Sequence, residues 1–219
     1  MKNSRAILYS HGFGTRKDAR GMFIDIAALF PDREHILFDY NEIIDATTLR
    51  VPSLFGQAET LRKVVAGIDT AERTIDFITH SQGAVVAAMV CPTIIRKTLC
   101  IAPPPSFEVE RFIDAFRDRT GAVVDMKGES RVPRKDGTIS LVPASYWESL
   151  RNTDPIAHYN QFAKHTELVF ITGNQDDVFS SNEFFGIDPK VRIISIDGDH
   201  NFSEVYRRGL LETARRELA

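Results

Sequence analysis

Thr79-His80-Ser81-Gln82-Gly83 sets a serine between small residues two positions to either side. A β-branched run, residues 74–79, leads into it. An apolar run, 82–91, leaves it and stops at Pro92. A serine on such a strand-to-helix turn sits on strained backbone, and small neighbours relieve the crowding. The helix behind it offers free N–H groups and a positive dipole end to a developing oxyanion. Ser-x-Gly alone arises often by chance; its place at a strand end gives it weight. The chemistry it suits is nucleophilic attack, which needs a base and an acid nearby.

Three further stretches lie where such partners are required. His11-Gly12-Phe13-Gly14 closes one β-branched run, Gly173-Asn174-Gln175-Asp176-Asp177 another, and Asp197-Gly198-Asp199-His200 a third. The carboxyl ends of strands in an open parallel sheet form one rim, so residues from these three places can converge with Ser81. In chain order the set reads Ser81, Asp176, His200. His11 and His80 flank the site and suit bracing by hydrogen bonds better than catalysis. His35, His158 and His165 show no partner pattern. The acidic cluster around His200 has no His-x-x-x-His or cysteine pairing beside it, so neither metal nor cofactor is expected.

The elements that must position these groups follow from periodicity. Residues 5–10, 35–39, 74–79, 98–102, 167–172 and 191–197 read as buried strands. Helical patterns cover 19–30, 53–68, 82–91 and 203–218. Alternation of this kind predicts a parallel sheet with helices on both faces. Residues 103–166 break the rhythm, being far longer than an ordinary connection. They carry a helical pattern at 107–119 and two runs, 123–132 and 138–142, able to pair across Asp136-Gly137. Two short helices follow at 145–151 and 155–164, the second with Asp154 as N-cap and Pro155 at its first position. This is an inserted subdomain.

Composition bounds the rest. A chain of 219 residues with 43% hydrophobic and 26% charged side chains suits one ordered domain. A net charge of −3 argues against nucleic acid as the main partner. The longest apolar run, 84–91, is far too short to span a membrane. Residues 1–5 are short and polar, with no cleavage site after them, and Cys91 and Cys100 read as reduced core residues; the expected location is the cytoplasm.

With these motifs in place, the chain resembles the α/β-hydrolase superfamily, over essentially all of its length outside 103–166. The order nucleophile, acid, histidine is the one that fold uses. The pairing of His11-Gly12-Phe13-Gly14 with His80-Ser81-Gln82-Gly83, plus the long insert, is similar to small carboxylesterases and cinnamoyl (feruloyl) esterases. That resemblance implies Ser81 as nucleophile, His200 as base, and Asp176, rather than Asp177, as the acid orienting it. It implies an oxyanion hole from the backbone N–H groups of Phe13 and Gln82. It also implies a hydrolase core of residues 1–102 and 167–219, a cap of 103–166, and a small ester as substrate. Other serine acyl chemistry of the fold, or a fold retired to binding, are the alternatives. Thr79 and Ala84 depart from the glycines usual in those esterases. The fold's first two strands have no room before residue 5, so a six-stranded minimal sheet is expected, with 35–39 at one edge.

Overall fold

The structure, a computed structural model, describes residues 4–70, 73–134, 136–179 and 183–219. Its ten strands are β1 (Ser4–Ser10), β2 (Glu34–Ile36), β3 (Glu42–Ile43), β4 (Thr48–Arg50), β5 (Arg73–His80), β6 (Ile95–Ile101), β7 (Glu129–Pro133), β8 (Ile139–Pro143), β9 (Glu167–Gly173) and β10 (Arg192–Ile196). Six of them form one sheet in the order β10-β9-β6-β5-β1-β2, every pair parallel. The expected edge strand at 35–39 is β2, cut to three residues.

Successive side chains of a strand face opposite ways, so each central strand divides between two cores. Ile7, Tyr9, Ile78, Leu99 and Ile171 pack with Phe23 and Ile26 of α1 (Met22–Ala27). Leu210 and Ala214 of α7 (Arg207–Leu218) complete that layer. On the other face Leu8, Phe77, Cys100 and Phe170 meet Leu54 and Leu61 of α2 (Leu54–Ala66) and Val85 of α3 (Gln82–Val90). Helix α3 is buried from Gln82 to Ala88, as its all-round apolar sequence requires. Helix α1 begins three residues later than its apolar spacing suggests. Ala19, Arg20 and Gly21 all take left-handed backbone, with φ of 47°, 57° and 83°, so the chain turns there before it coils.

A second sheet, β3-β4-β8-β7, stands beside the first. β7 and β8 pair antiparallel about a turn with Gly137 at φ 80°. β4 then joins β8 in parallel, so residues 42–50, which carry no strand signal in the sequence, are stitched to the long insert. Strands of two and three residues are too short for alternation to register. Helix α5 (Ala144–Arg151) packs on β8 of this sheet and α4 (Val109–Arg117) on α5, whereas α6 (Pro155–Phe162), capped by Asp154 accepting from the Ala157 N–H at 3.2 Å, packs on α3 of the main layer. Trp147 of α5 is 1% exposed and donates its indole N–H to Ser130 on β7. No helix of the described residues is long and apolar enough to cross a membrane.

Candidate active site

Ser81 stands between the last residue of β5 and the first of α3, with φ 53° and ψ −131°. That backbone is sparsely populated for any residue with a Cβ and costs on the order of 1–3 kcal/mol. The neighbourhood holds it there: the Ser81 N–H donates to the Ile101 carbonyl at 2.8 Å, and the Ser81 carbonyl accepts from Ala84 at 2.9 Å. Gly83 has no alternative, because a Cβ would lie 2.4 Å from the Ser10 carbonyl oxygen and 2.6 Å from that of His11. Thr79 is fully buried on β5, so its extra bulk is taken up inside the sheet.

His200 comes from the loop after β10, and its Nε2 lies 2.9 Å from Ser81 Oγ. Its Nδ1 lies 2.8 Å from Asp176 Oδ2 on the loop after β9. An ionised Asp176 only accepts, so Nδ1 carries the proton and Nε2 is left to accept the serine hydroxyl. Burial pushes the Asp176 pKa up, but the hydrogen bond and charge of His200 and the Val178 and Phe179 amides outweigh it and hold the carboxyl below its usual range. The two loops interlock. Gly173 lies so close to Gly198 that a Cβ would come 2.3 Å from the Gly198 carbonyl oxygen. Gln175 N–H donates to the same carbonyl at 2.9 Å.

The neighbouring carboxylates are turned elsewhere. Asp177 is exposed. Asp199 accepts the backbone N–H groups of Asn201 and Ser203, and Asp197 accepts from the Asn174 side chain. Among the described residues no group of His, Cys, Asp and Glu side chains could hold a metal ion.

Phe13 lies on the loop after β1, whose Gly12 packs so that a Cβ would be 3.0 Å from Ser81 Cβ. Gln82 opens α3, so its N–H is one of the helix's unsatisfied donors. Both residues line one cavity with Ser81 and His200, of about 360 Å³, walled by Phe112, Phe116, Trp147 and Phe179. His80 is buried and donates from Nε2 to the His200 carbonyl at 3.0 Å, while burial and then the nearby His200 charge lower its pKa to about 3. His11, its pKa also lowered by burial, accepts the Tyr40 N–H and hydrogen-bonds the Gly12 carbonyl. Both histidines are therefore neutral braces between the loops.

Sequence reading missed a buried chain behind Gln82. Tyr146 of α5 donates to Gln82 Oε1, Gln82 Nε2 donates to Gln57 Oε1 at 2.7 Å, and Gln57 donates to the Pro52 carbonyl. It also missed Arg134, which donates to the Phe13 carbonyl at 3.3 Å and lies 5.0 Å over the Phe13 ring. These partners are scattered along the chain, and no local spacing marks them.

A parallel sheet with helices on both faces and a strained serine at the end of a central strand define the α/β-hydrolase fold, and the chain resembles the esterases built on it. No family model matches the chain, and no curated protein matches it. Solved structures do match. Est1E from Butyrivibrio proteoclasticus with ferulic acid bound superposes with a TM-score of 0.71 at 13% identity, covering 100% of this chain and 89% of that one. The esterase domain of a Rhodothermus marinus protein gives 0.62 at 16% identity over 99% and 88%. An α/β serine hydrolase homologue from Coxiella burnetii gives 0.62 at 16% over 100% and 86%.

Proposed function

We propose that this protein is a serine hydrolase that cleaves carboxylic esters through an acyl-enzyme. The observation that carries the reading is the continuous relay from Ser81 Oγ through His200 to Asp176, at 2.9 and 2.8 Å. His200 Nε2 takes the hydroxyl proton as Ser81 Oγ attacks the ester carbonyl. The Phe13 and Gln82 N–H groups receive the oxyanion. Collapse breaks the carbon–oxygen bond, the leaving alcohol takes the proton from His200, and water then repeats the sequence to release the acid.

Residues 103–166, tied to 42–50 through the second sheet, act in this reading as the cap over the acyl pocket. The aromatic walls suit a small apolar or aromatic ester, in keeping with the ferulic acid held by Est1E. The free cysteines Cys91 and Cys100 suit a reducing compartment, so the proposed setting is the cytoplasm.

A p-nitrophenyl ester series from acetate to decanoate tests the reading. Wild type should turn over at least one member. Ser81→Ala, folded by circular dichroism, should lose a factor on the order of 10⁴–10⁶ in kcat. An alanine variant as active as wild type would end it.

A further inference from the structure

The Ser81 cavity carries more positive charge than its walls neutralise. Arg20, Arg111, Arg119 and Arg134 border it, against one acidic lining residue, the exposed Asp177. This is a local excess on a chain whose net charge is −3. Two of the four arginines are paired. Arg20 meets Asp136 at 3.2 Å, and Arg111 meets Glu108 at 3.2 Å while donating to the Asp177 and Val178 carbonyls.

Arg119 and Arg134 have no carboxylate partner among the described residues. Both are half-buried, and each stands over an aromatic ring that also walls the cavity. Among the described residues Arg119, 4.7 Å from the Phe116 ring, donates to the Pro133 carbonyl, and Arg134, over Phe13, donates to the Phe13 carbonyl. A guanidinium has five donors in a planar fork, so on both residues most have no partner among the described residues. The charges also oppose one another: burial, then Arg20 and Arg119, draw the Arg134 pKa down to about 10, and Asp136, already ion-paired to Arg20, offsets this only in part. Arg134 stays cationic at neutral pH.

Two half-buried, mutually repelling cations are costly to keep when the one carboxylate near them, Asp136, is already paired with Arg20. A carboxylate fits the guanidinium fork in two-pronged fashion, and the cation–π contacts with Phe116 and Phe13 help to hold the two guanidinium groups at the cavity wall. We propose that the ligand of this cavity is an anion: an ester whose distal carboxylate is bound by Arg119 and Arg134, with its apolar body against Phe13, Phe116 and Trp147. The ester part rests on the hydrolase reading above; the anion part rests on the arginines alone.

Calorimetric titration separates the two. The probes are ω-phenyl carboxylates from phenylacetate to 6-phenylhexanoate, each against its own neutral amide. At least one carboxylate should bind wild type about tenfold tighter than its amide, about 1.4 kcal/mol. Arg119→Gln and Arg134→Gln should each erode that ratio, the double variant should bring it within about threefold, and Arg134→Lys should retain part of it. Equal or undetectable carboxylate binding in every wild-type pair overturns the proposal, whatever the variants do. So does a preference that survives in Arg119→Gln and in Arg134→Gln undiminished. Fluorophosphonate labelling of Ser81 is read in parallel. Labelling without a charge preference removes the anion and leaves the hydrolase, whereas a charge preference without labelling does the reverse.

Discussion

Asp176 and Asp177 are adjacent, yet only Asp176 reaches His200. The sequence offered four aspartates near that histidine, and choosing among them rested on a family spacing. The physical reason for the choice lies in the loops: Asp199 is spent on the amides of its own turn, and Asp177 is exposed where it borders the cavity, with no hydrogen bond to His200. Asp176→Asn should lower kcat for ester turnover by about 10³–10⁴, by unfixing the His200 tautomer. Asp177→Asn should cost less than about threefold. Steady-state kinetics on the two variants checks both. His80 adds a pH dependence of stability. Unfolded, its imidazole protonates below the ordinary 6.5; folded, it stays neutral down to about 3. Between those values the unfolded chain holds the extra proton, so acid favours unfolding, by at most about 1.4 kcal/mol per pH unit for this group. Melting temperature should fall from pH 6.5 towards 4.5, and His80→Gln, which keeps a donor but does not titrate, should flatten that slope.

At the scale of elements, the strands buried on both faces were the legible part, because covering a parallel sheet twice leaves near-continuous apolar runs. The turn at Ser81 was legible for a related reason: a strand, a small-residue loop and an apolar helix leave little other geometry. What escaped was short or bent against local preference. β3 and β4 have two and three residues, and the start of α1 is set by three left-handed residues in a row. Gly83 is where the turn is least tolerant. Gly83→Ala must push the helix start off the Ser10 and His11 carbonyls, so it should destabilise by about 3 kcal/mol or more, or fail to accumulate folded. Denaturant titration of Gly83→Ala against Ala84→Gly, whose neighbouring site lacks that clash, reads the difference.

Over the whole molecule, the sheet, its two helical layers and the rim that gathers Ser81, Asp176 and His200 followed from alternation and chain order. The character of the cavity did not. Arg20 comes from the loop before α1 and the other three arginines from the insert, while the Tyr146–Gln82–Gln57 chain joins α5 to α3 and α2, so no local spacing in the sequence brings them together. If that sheet and its helices form a cap, they should govern which ester is accepted more than whether Ser81 reacts. Phe112 stands edge-on to Phe179, which in turn packs on His200. Phe112→Ala should shift the octanoate-to-acetate ratio of kcat/KM by about tenfold.

Covalent labelling reads whether His200 activates Ser81 without any assumption about substrate. Wild type treated with a fluorophosphonate should gain the mass of one adduct, with peptide mapping placing it on Ser81. Folded Ser81→Ala should gain none, and His200→Ala should react slower by a factor on the order of 10³. Wild type left unlabelled, or an adduct that persists in Ser81→Ala, would contradict that activation.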